Sequence, residues 1–336
     1  MMNDDVKQLG VTLALGLAGA GLATAAGLPA AALIGATVAT SVAAAAGMRL
    51  RMDPHLRNFG FATIGLSLGS GVGPGILADL GHWGFSLAVL CLSLAVTLWV
   101  GALILRRGFG IGRETAVLAT SPGAMSYALA IAEEGRGDAS AIMVIQSLRL
   151  LLLASVLPVL LWALVEAPVL PVHVAMGLLP FALLLAVASV SGWALARLGL
   201  PAAWLIAGFA VSGVAHGAEL VHGLLPGWAL FAGFALTGAT IGARFSGLNA
   251  ALMLRYLGAA LVAGGVSALM SLAFAALVAA VTGLPLGQLW VAFAPGGVEA
   301  MAAMGLALGY DPAFVAVHHL VRLAVLFVLV PLFLRR

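Results

Sequence analysis

The chain has 336 residues, of which 63% are hydrophobic and only 8% carry a charged side chain, against about 25% charged residues in soluble proteins. Its net charge is +3 and its mean hydropathy is +1.17. This composition excludes an ordinary soluble domain and leaves no hydrophilic stretch long enough for a nucleic-acid-binding module. The sequence lacks the alternating pattern of a membrane β-barrel. We therefore expect an all-α polytopic membrane protein.

Apolar runs predict five spans in each half of the chain. They fall at about 9–26, 28–47, 58–78, 83–105 and 138–164, and again at about 172–196, 201–216, 226–243, 256–281 and 312–334. The first run resembles the apolar part of a signal peptide, but its counterpart in the second half favours a true span. A sixth segment in each half, about 114–132 and 289–308, contains a Pro-Gly break.

Landmarks of the first half recur, in the same order, 172 or 173 residues later. They are Gly27-Leu28-Pro29-Ala30-Ala31 and 199–203, Gly65-x-x-x-Gly69 and 238–242, Pro122-Gly123 and 295–296, and the residues Asp138, Arg149 and Pro158 with Asp311, Arg322 and Pro331. Such self-similarity predicts two copies of one structural unit. We assign residues 1–168 to the first membrane repeat, with its break at 121–124, and residues 169–336 to the second, with its break at 294–297.

The placement of basic residues predicts how the break segments cross the membrane. Thirteen of the 15 Lys and Arg residues lie outside the apolar runs. If the break segments are re-entrant and the N-terminus is cytoplasmic, all thirteen face the cytoplasm; if the segments cross, four of them face outward. The positive-inside rule favours the first arrangement. We predict about ten transmembrane helices and two re-entrant or broken segments, arranged as inverted-topology repeats with both termini in the cytoplasm.

Inverted repeats with interrupted helices are typical of secondary transporters, whose substrate sites lie near the midplane. Helix N-termini at the breaks would offer free N–H groups to an anion. Arg149 and Arg322 lie 11 residues after Asp138 and Asp311, which places them about 16 Å into their helices. Two interpretations of the arginines stay open and are compatible: they bind or gate an anion, or they clamp exposed carbonyls at the breaks.

The candidate substrate-binding residues lie at the breaks or on one face of the arginine helices. They are Ser121, Pro122, Gly123, Gln146, Arg149, Pro295, Gly296, Gly297, Glu299, His319 and Arg322. Glu299 and His319 make proton coupling conceivable, although Glu299 could equally neutralise an arginine. We interpret His318 as a core residue and the two Gly-x-x-x-Gly runs as packing surfaces.

The paired blocks resemble the AbrB membrane-protein family, which is distinct from the soluble transition-state regulator of the same name. The blocks are Ser121-Pro122-Gly123 with Asp138, Gln146 and Arg149, and Pro295-Gly296-Gly297 with Asp311, His319 and Arg322. The first copy departs from the family's usual pattern at Ala124 and Tyr127. Family members carry conflicting labels, namely ammonia monooxygenase, regulator of gene expression and transporter.

We predict a secondary transporter in the bacterial inner membrane that moves a small metabolite by alternating access at a site between the two repeats. Both anionic and other metabolites stay open as substrates. The expected partners are the lipid bilayer, the substrate, a coupling ion (H⁺ or Na⁺) and a second copy of the chain in a homodimer, with no nucleic acid and no cofactor. One alternative is an indirect role in gene regulation. A metal monooxygenase is a weaker alternative, because it needs clustered ligands and only the loop with His216, Glu219 and His222 offers any.

Overall fold

The computed structural model describes residues 2–73, 81–121, 125–164, 174–200 and 202–335, apart from the side chains at positions 2, 3, 126 and 299. Fourteen helices and no strand lie within these ranges. In the first half they are α1 (Met2–Ala25), α2 (Ala31–Ala45), α3 (Pro54–Gly69), α4 (Gly84–Phe109), α5 (Arg113–Thr120), α6 (Met125–Glu133) and α7 (Ala139–Leu164). In the second half they are α8 (Leu178–Arg197), α9 (Ala203–Gly217), α10 (Gly227–Ala243), α11 (Ala250–Thr282), α12 (Leu286–Phe293), α13 (Val298–Ala307) and α14 (Pro312–Arg335).

The expected membrane helices are present, but they differ in length. Six of the described helices, α1, α4, α7, α8, α11 and α14, are long and apolar enough to cross a membrane. The other four predicted spans form α2, α3, α9 and α10, which have only 15 to 17 residues and are therefore about 22–26 Å long. That is less than the hydrocarbon thickness of about 30 Å. The six long helices and the shorter apolar ones together agree with the predicted polytopic membrane protein.

Within the described ranges, the two halves have the same succession of seven helices, and local contacts recur with it. The Asp138 carboxylate accepts from the backbone N–H groups of 140 and 141 and caps α7, and the Asp311 carboxylate does the same for α14 at 313 and 314. The backbone N–H of Asp138 donates to the Thr115 hydroxyl at 2.9 Å. The backbone N–H of Asp311 donates to the Gln288 side chain at 3.1 Å, 173 residues on. The predicted boundary at 168/169 lies outside the described residues.

Each break segment enters and leaves at the same end of the bundle. Thr115, at the start of α5, contacts Asp138, which follows α6, and Glu114 pairs with Arg136 at 2.8 Å. A segment that crossed the membrane would separate these residues by about 30 Å. In the second half Gln288 and Asp311 make the equivalent contact. Both segments are therefore re-entrant hairpins, as the charge distribution predicted.

The helices divide into two bundles. The short-helix bundle consists of α1–α3 and α8–α10, and the break bundle consists of α4–α7 and α11–α14; most contacts between helices fall within one bundle or the other. Each half of the chain contributes to both, so the chain passes between the bundles three times. The break bundle contains both interrupted segments and both buried arginines.

Glycines bring the helices of the short-helix bundle into backbone contact. A Cβ atom at Gly69 would lie 2.5 Å from the Phe209 carbonyl oxygen in α9, and one at Gly242 would lie 2.8 Å from the Ser41 backbone nitrogen in α2. Gly65 and Gly238 contact the same partner helices just as closely. The Gly-x-x-x-Gly runs are packing surfaces, as predicted, because such close approach leaves no space for a ligand.

Contacts between helix ends bring several basic residues to one end of the molecule, which we call the basic end: Arg51, Arg113, Arg136, Arg244 and Arg255. Arg51 pairs with Asp5 there, and the Arg136 guanidinium donates to the carbonyl of Leu334 at 3.2 Å. The second contact places the start of α7 beside the end of α14. These two helices occupy equivalent positions in the two halves, and they run in opposite directions.

Candidate functional site

Helix α5 ends at the first break, and its last carbonyl groups accept hydrogen bonds from Arg149 and Gln146. Helix α5 stops at Thr120, so its last carbonyls have no partner within the helix. The Arg149 guanidinium, on α7, donates to the carbonyls of Ala119 at 3.3 Å, Thr120 at 3.0 Å and Ser121 at 3.1 Å. Gln146 lies three residues earlier on the same face of α7. Its amide donates to the carbonyl of Leu118 at 2.7 Å. A cation at this helix C-terminus also opposes the negative end of the helix dipole.

The second break is built in the same way. Helix α12 ends at Phe293, and the Arg322 guanidinium of α14 donates to the carbonyls of Ala294 and Gly296, the latter at 2.7 Å. A Cβ atom at Gly296 would lie 2.6 Å from the Met301 side chain, so a larger residue there would have to displace that methionine. The clamp interpretation of the two arginines is therefore observed at both breaks.

A cavity of about 610 Å³ lies between the two bundles and reaches both breaks. The break bundle lines it with residues of α6, α7, α13 and α14 and with the backbone of 295–297. The short-helix bundle lines it with α3, the α8–α9 connection and the end of α10. The volume is within the usual range of about 300–1,000 Å³ for small-molecule sites.

The electrostatic environment of the cavity is positive. Arg57, Arg149 and Arg244 contribute to its lining, and no carboxylate does so among the side chains that the structure describes. Helices α6 and α13 begin at the lining residues Met125 and Val298, and the first N–H groups of a helix carry partial positive charge. Arginines bind the carbonyl ends of α5 and α12, whereas the N-terminal ends of α6 and α13 lie at the cavity lining. This arrangement suits an anion.

The family model described as Transition state regulatory protein AbrB matches residues 32–336. The chain belongs to the AbrB family. The match confirms the resemblance that the paired Pro-Gly and arginine blocks predicted, and it includes both breaks, both arginines and the whole cavity lining. Among curated proteins, none matches this AbrB family chain.

The candidate residues of this AbrB family protein fall into three groups. Some line the cavity: Gln146, Arg149, Pro295, Gly296 and Gly297. Others are buried beside it without lining it: Ser121, His319 and Arg322. Pro122, Gly123 and the side chain of Glu299 lie outside what the structure describes.

The hydroxyl of Ser121, a candidate substrate-binding residue, bonds to its own helix. Its side chain is fully buried, and its hydroxyl donates to the Leu118 carbonyl at 2.8 Å. Serine hydroxyls commonly make such bonds near helix ends. In this conformation Ser121 contributes a clamped carbonyl rather than a hydroxyl facing the cavity.

The two neighbouring histidines of α14 have different surroundings. The His318 ring nitrogens lie 2.8 Å from the Ser86 hydroxyl and 2.8 Å from the Phe314 carbonyl, and its ring stacks at 3.9 Å on that of Phe314. His318 is a core residue, as predicted. His319 is also fully buried; the Val291 carbonyl lies near its ring, but neither ring nitrogen makes a well-formed hydrogen bond to a described residue.

Several cavity residues were not among the predicted site residues. They include Arg57, Asn58, Trp204 and Arg244. Arg57 and Arg244 belong to the thirteen basic residues outside the apolar runs, which were used only to predict topology. Neither has a counterpart in the other repeat, since the matching positions are Leu230 and Gly71, so the duplication gave no signal for them.

In the loop considered for a metal site, both ring nitrogens of His216 contact backbone carbonyls. The Nε2 atom of His216 lies 3.1 Å from the Gly223 carbonyl, and its Nδ1 atom lies 2.8 Å from the Ser212 carbonyl. Within the described part of the chain, no three His, Cys, Asp or Glu side chains are grouped closely enough to hold a metal ion.

Proposed function

We propose that this protein is a secondary transporter of a small organic anion and that the substrate binds in the cavity between the two bundles. The observation that carries the proposal is the cavity itself, which joins both helix breaks and is lined by three arginines. The role assigned to the site is binding and translocation rather than catalysis. Phe61, Trp204 and Phe327 also line the cavity, which favours an anion with an apolar body.

The arrangement of the halves supports alternating access. Equivalent helices α7 and α14 run in opposite directions, as the contact between Arg136 and Leu334 indicates, so we interpret the halves as inverted repeats. Such repeats can exchange conformations and expose a central site to either side in turn. Movement of the break bundle against the short-helix bundle would change the access to the cavity, because each bundle forms one of its walls.

The position of the arginines supports a cytoplasm-facing state in an inner membrane. Arg57 and Arg244 line the cavity and are two of the thirteen residues that the positive-inside rule assigns to the cytoplasm. On this assignment both termini are cytoplasmic, and we interpret the cavity, where Arg57 is exposed, as open to the cytoplasm. Comparison of uptake under imposed H⁺ and Na⁺ gradients identifies the coupling ion.

Uptake by proteoliposomes tests the proposal. The purified chain is reconstituted, and influx of a panel of radiolabelled mono- and dicarboxylates is measured. Replacing Arg57 by Gln removes one exposed lining cation, and the loss of one charge-assisted contact predicts about a tenfold higher KM. Arg255→Gln removes the same charge at the basic end outside the cavity and is expected to leave KM unchanged.

Two outcomes would overturn the proposal. One is the absence of flux for every anion together with the absence of any anion-induced shift in melting temperature. The other is equal loss of uptake in Arg57→Gln and Arg255→Gln, which would indicate general attraction of anions to the basic end rather than binding in the cavity.

A further inference from the structure

A second cavity lies on the outer side of the break bundle. This lateral groove has a volume of about 480 Å³ and lies between α4, α5 and α14. It shares no lining residue with the central cavity. Trp99 and Leu332 in its walls are 59% and 49% exposed. In a membrane protein, a groove with exposed apolar walls faces lipid rather than water.

Two arginines form the polar end of the lateral groove. Arg113, at the start of α5, donates to the Phe333 carbonyl at 2.9 Å, which holds its guanidinium between α5 and α14. The neighbouring carboxylate, Glu114, forms an ion pair with Arg136 at 2.8 Å and therefore does not neutralise Arg113. Arg106 of α4 is exposed and, across the described ranges, forms no ion pair. Among the described residues, the groove therefore has two cationic groups and no carboxylate in its lining.

The order of these residues along α4 matches the layers of a bilayer. Trp99 precedes Arg106 by seven residues, or about 10 Å along the helix. Tryptophan is enriched at the membrane interface, and arginine binds phosphate oxygens through a planar pair of N–H groups. A ligand that fits this groove needs an anionic head at the basic end and an apolar chain directed towards the bilayer centre.

We propose that the lateral groove binds an anionic phospholipid. The head-group phosphate lies between Arg106 and Arg113, and an acyl chain lies along Trp99 and Leu332. Basic pockets between membrane helices favour anionic head groups for the same electrostatic reason. The proposal is independent of transport, since the two cavities have separate linings.

Lipid titration of the purified full chain in a neutral detergent tests the site. Phosphatidylglycerol and phosphatidylcholine with identical acyl chains are added, and binding is followed by native mass spectrometry and by the melting temperature. Phosphatidylglycerol is expected to bind and to raise the melting temperature more than phosphatidylcholine does. Arg106→Gln is expected to weaken phosphatidylglycerol binding about fivefold, as for loss of one basic residue at a membrane surface.

Arg107→Gln is the matched control. Arg107 is adjacent, exposed and outside the lateral groove, so its replacement removes the same charge but is expected to leave phosphatidylglycerol binding unchanged. Equal weakening by both variants would overturn the proposal, and so would equal binding of the two lipids. Inorganic phosphate is the third probe: if it alone reproduced the rise in melting temperature, the site would bind a free anion and not a lipid.

Folding of the Arg106 variant is checked by its melting temperature without added lipid, which is expected to equal that of the unmodified chain because Arg106 forms no ion pair with a described residue. Arg106→Lys, which retains the charge, is expected to retain phosphatidylglycerol binding. Loss of binding in the lysine variant to the same extent as in Arg106→Gln would overturn the electrostatic basis of the site.

Discussion

Replacing Arg149 by Gln measures how much the arginine clamp stabilises the first break. Arg149 is 3% exposed, and its guanidinium makes three hydrogen bonds to carbonyls at the end of α5. Hydrogen bonds to charged groups contribute about 1.5–3 kcal/mol each, and neutral ones about 1 kcal/mol. A glutamine amide can donate at most two. With the lower charged value, the free energy of unfolding falls by about 2.5 kcal/mol.

The assay is reversible unfolding in mixed micelles of a mild detergent and dodecyl sulfate, followed by circular dichroism. Arg57→Gln is the control, because Arg57 lines the same cavity but is exposed and, among described residues, hydrogen-bonds to its neighbour Asn58 alone. It is expected to change the free energy of unfolding by less than about 0.5 kcal/mol. Equal effects of the two substitutions would refute the clamp and would leave Arg149 as one cation among others.

Three further predictions concern packing, capping and topology. Gly242→Ala places a methyl group against the α2 backbone and is expected to lower the melting temperature. Gly265→Ala in α11 is the control, because its Cβ meets nothing within 4 Å, and it is expected to be neutral or stabilising. A larger fall in melting temperature for Gly265→Ala than for Gly242→Ala would contradict the packing. Asp138→Ala removes the cap of α7 and is expected to reduce the free energy of unfolding by about 1 kcal/mol; an unchanged value would show that the cap is dispensable. A cysteine at Arg136, in a chain with Cys91 replaced, is expected to react with a membrane-impermeant reagent only from the cytoplasmic side, and labelling from outside would contradict the proposed orientation.

The sequence predicted the helix breaks and the arginine pair well because the duplication made weak local signals coincide. A single Pro-Gly pair or a single buried arginine is ambiguous, but Arg149 and Arg322 stand at equivalent distances from equivalent aspartates. The re-entrant path could also be predicted, since basic residues determine which loops stay in the cytoplasm. Contacts at Thr115 and Gln288 now give that path a geometric basis.

Two aspects could not be predicted from the sequence. Hydropathy extends α3 towards residue 78, whereas the helix ends at Gly69, because apolar composition does not identify where a helix stops. The cavity lining depends on how the two bundles pack, so no local pattern connects Arg57 or Arg244 with residues at the breaks. Packing also distinguishes Arg149, which lines the cavity, from Arg322, which does not, although their sequence positions are equivalent.

The connection from α10 to α11 limits how far the two bundles can separate. Helix α10 ends at Ala243 and α11 begins at Ala250, so six residues link one bundle to the other at this point. Seven Cα–Cα steps extend to at most about 25 Å. This linker therefore sets an upper limit on the separation of the two helix ends that it joins, and any larger separation would require α10 or α11 to unwind.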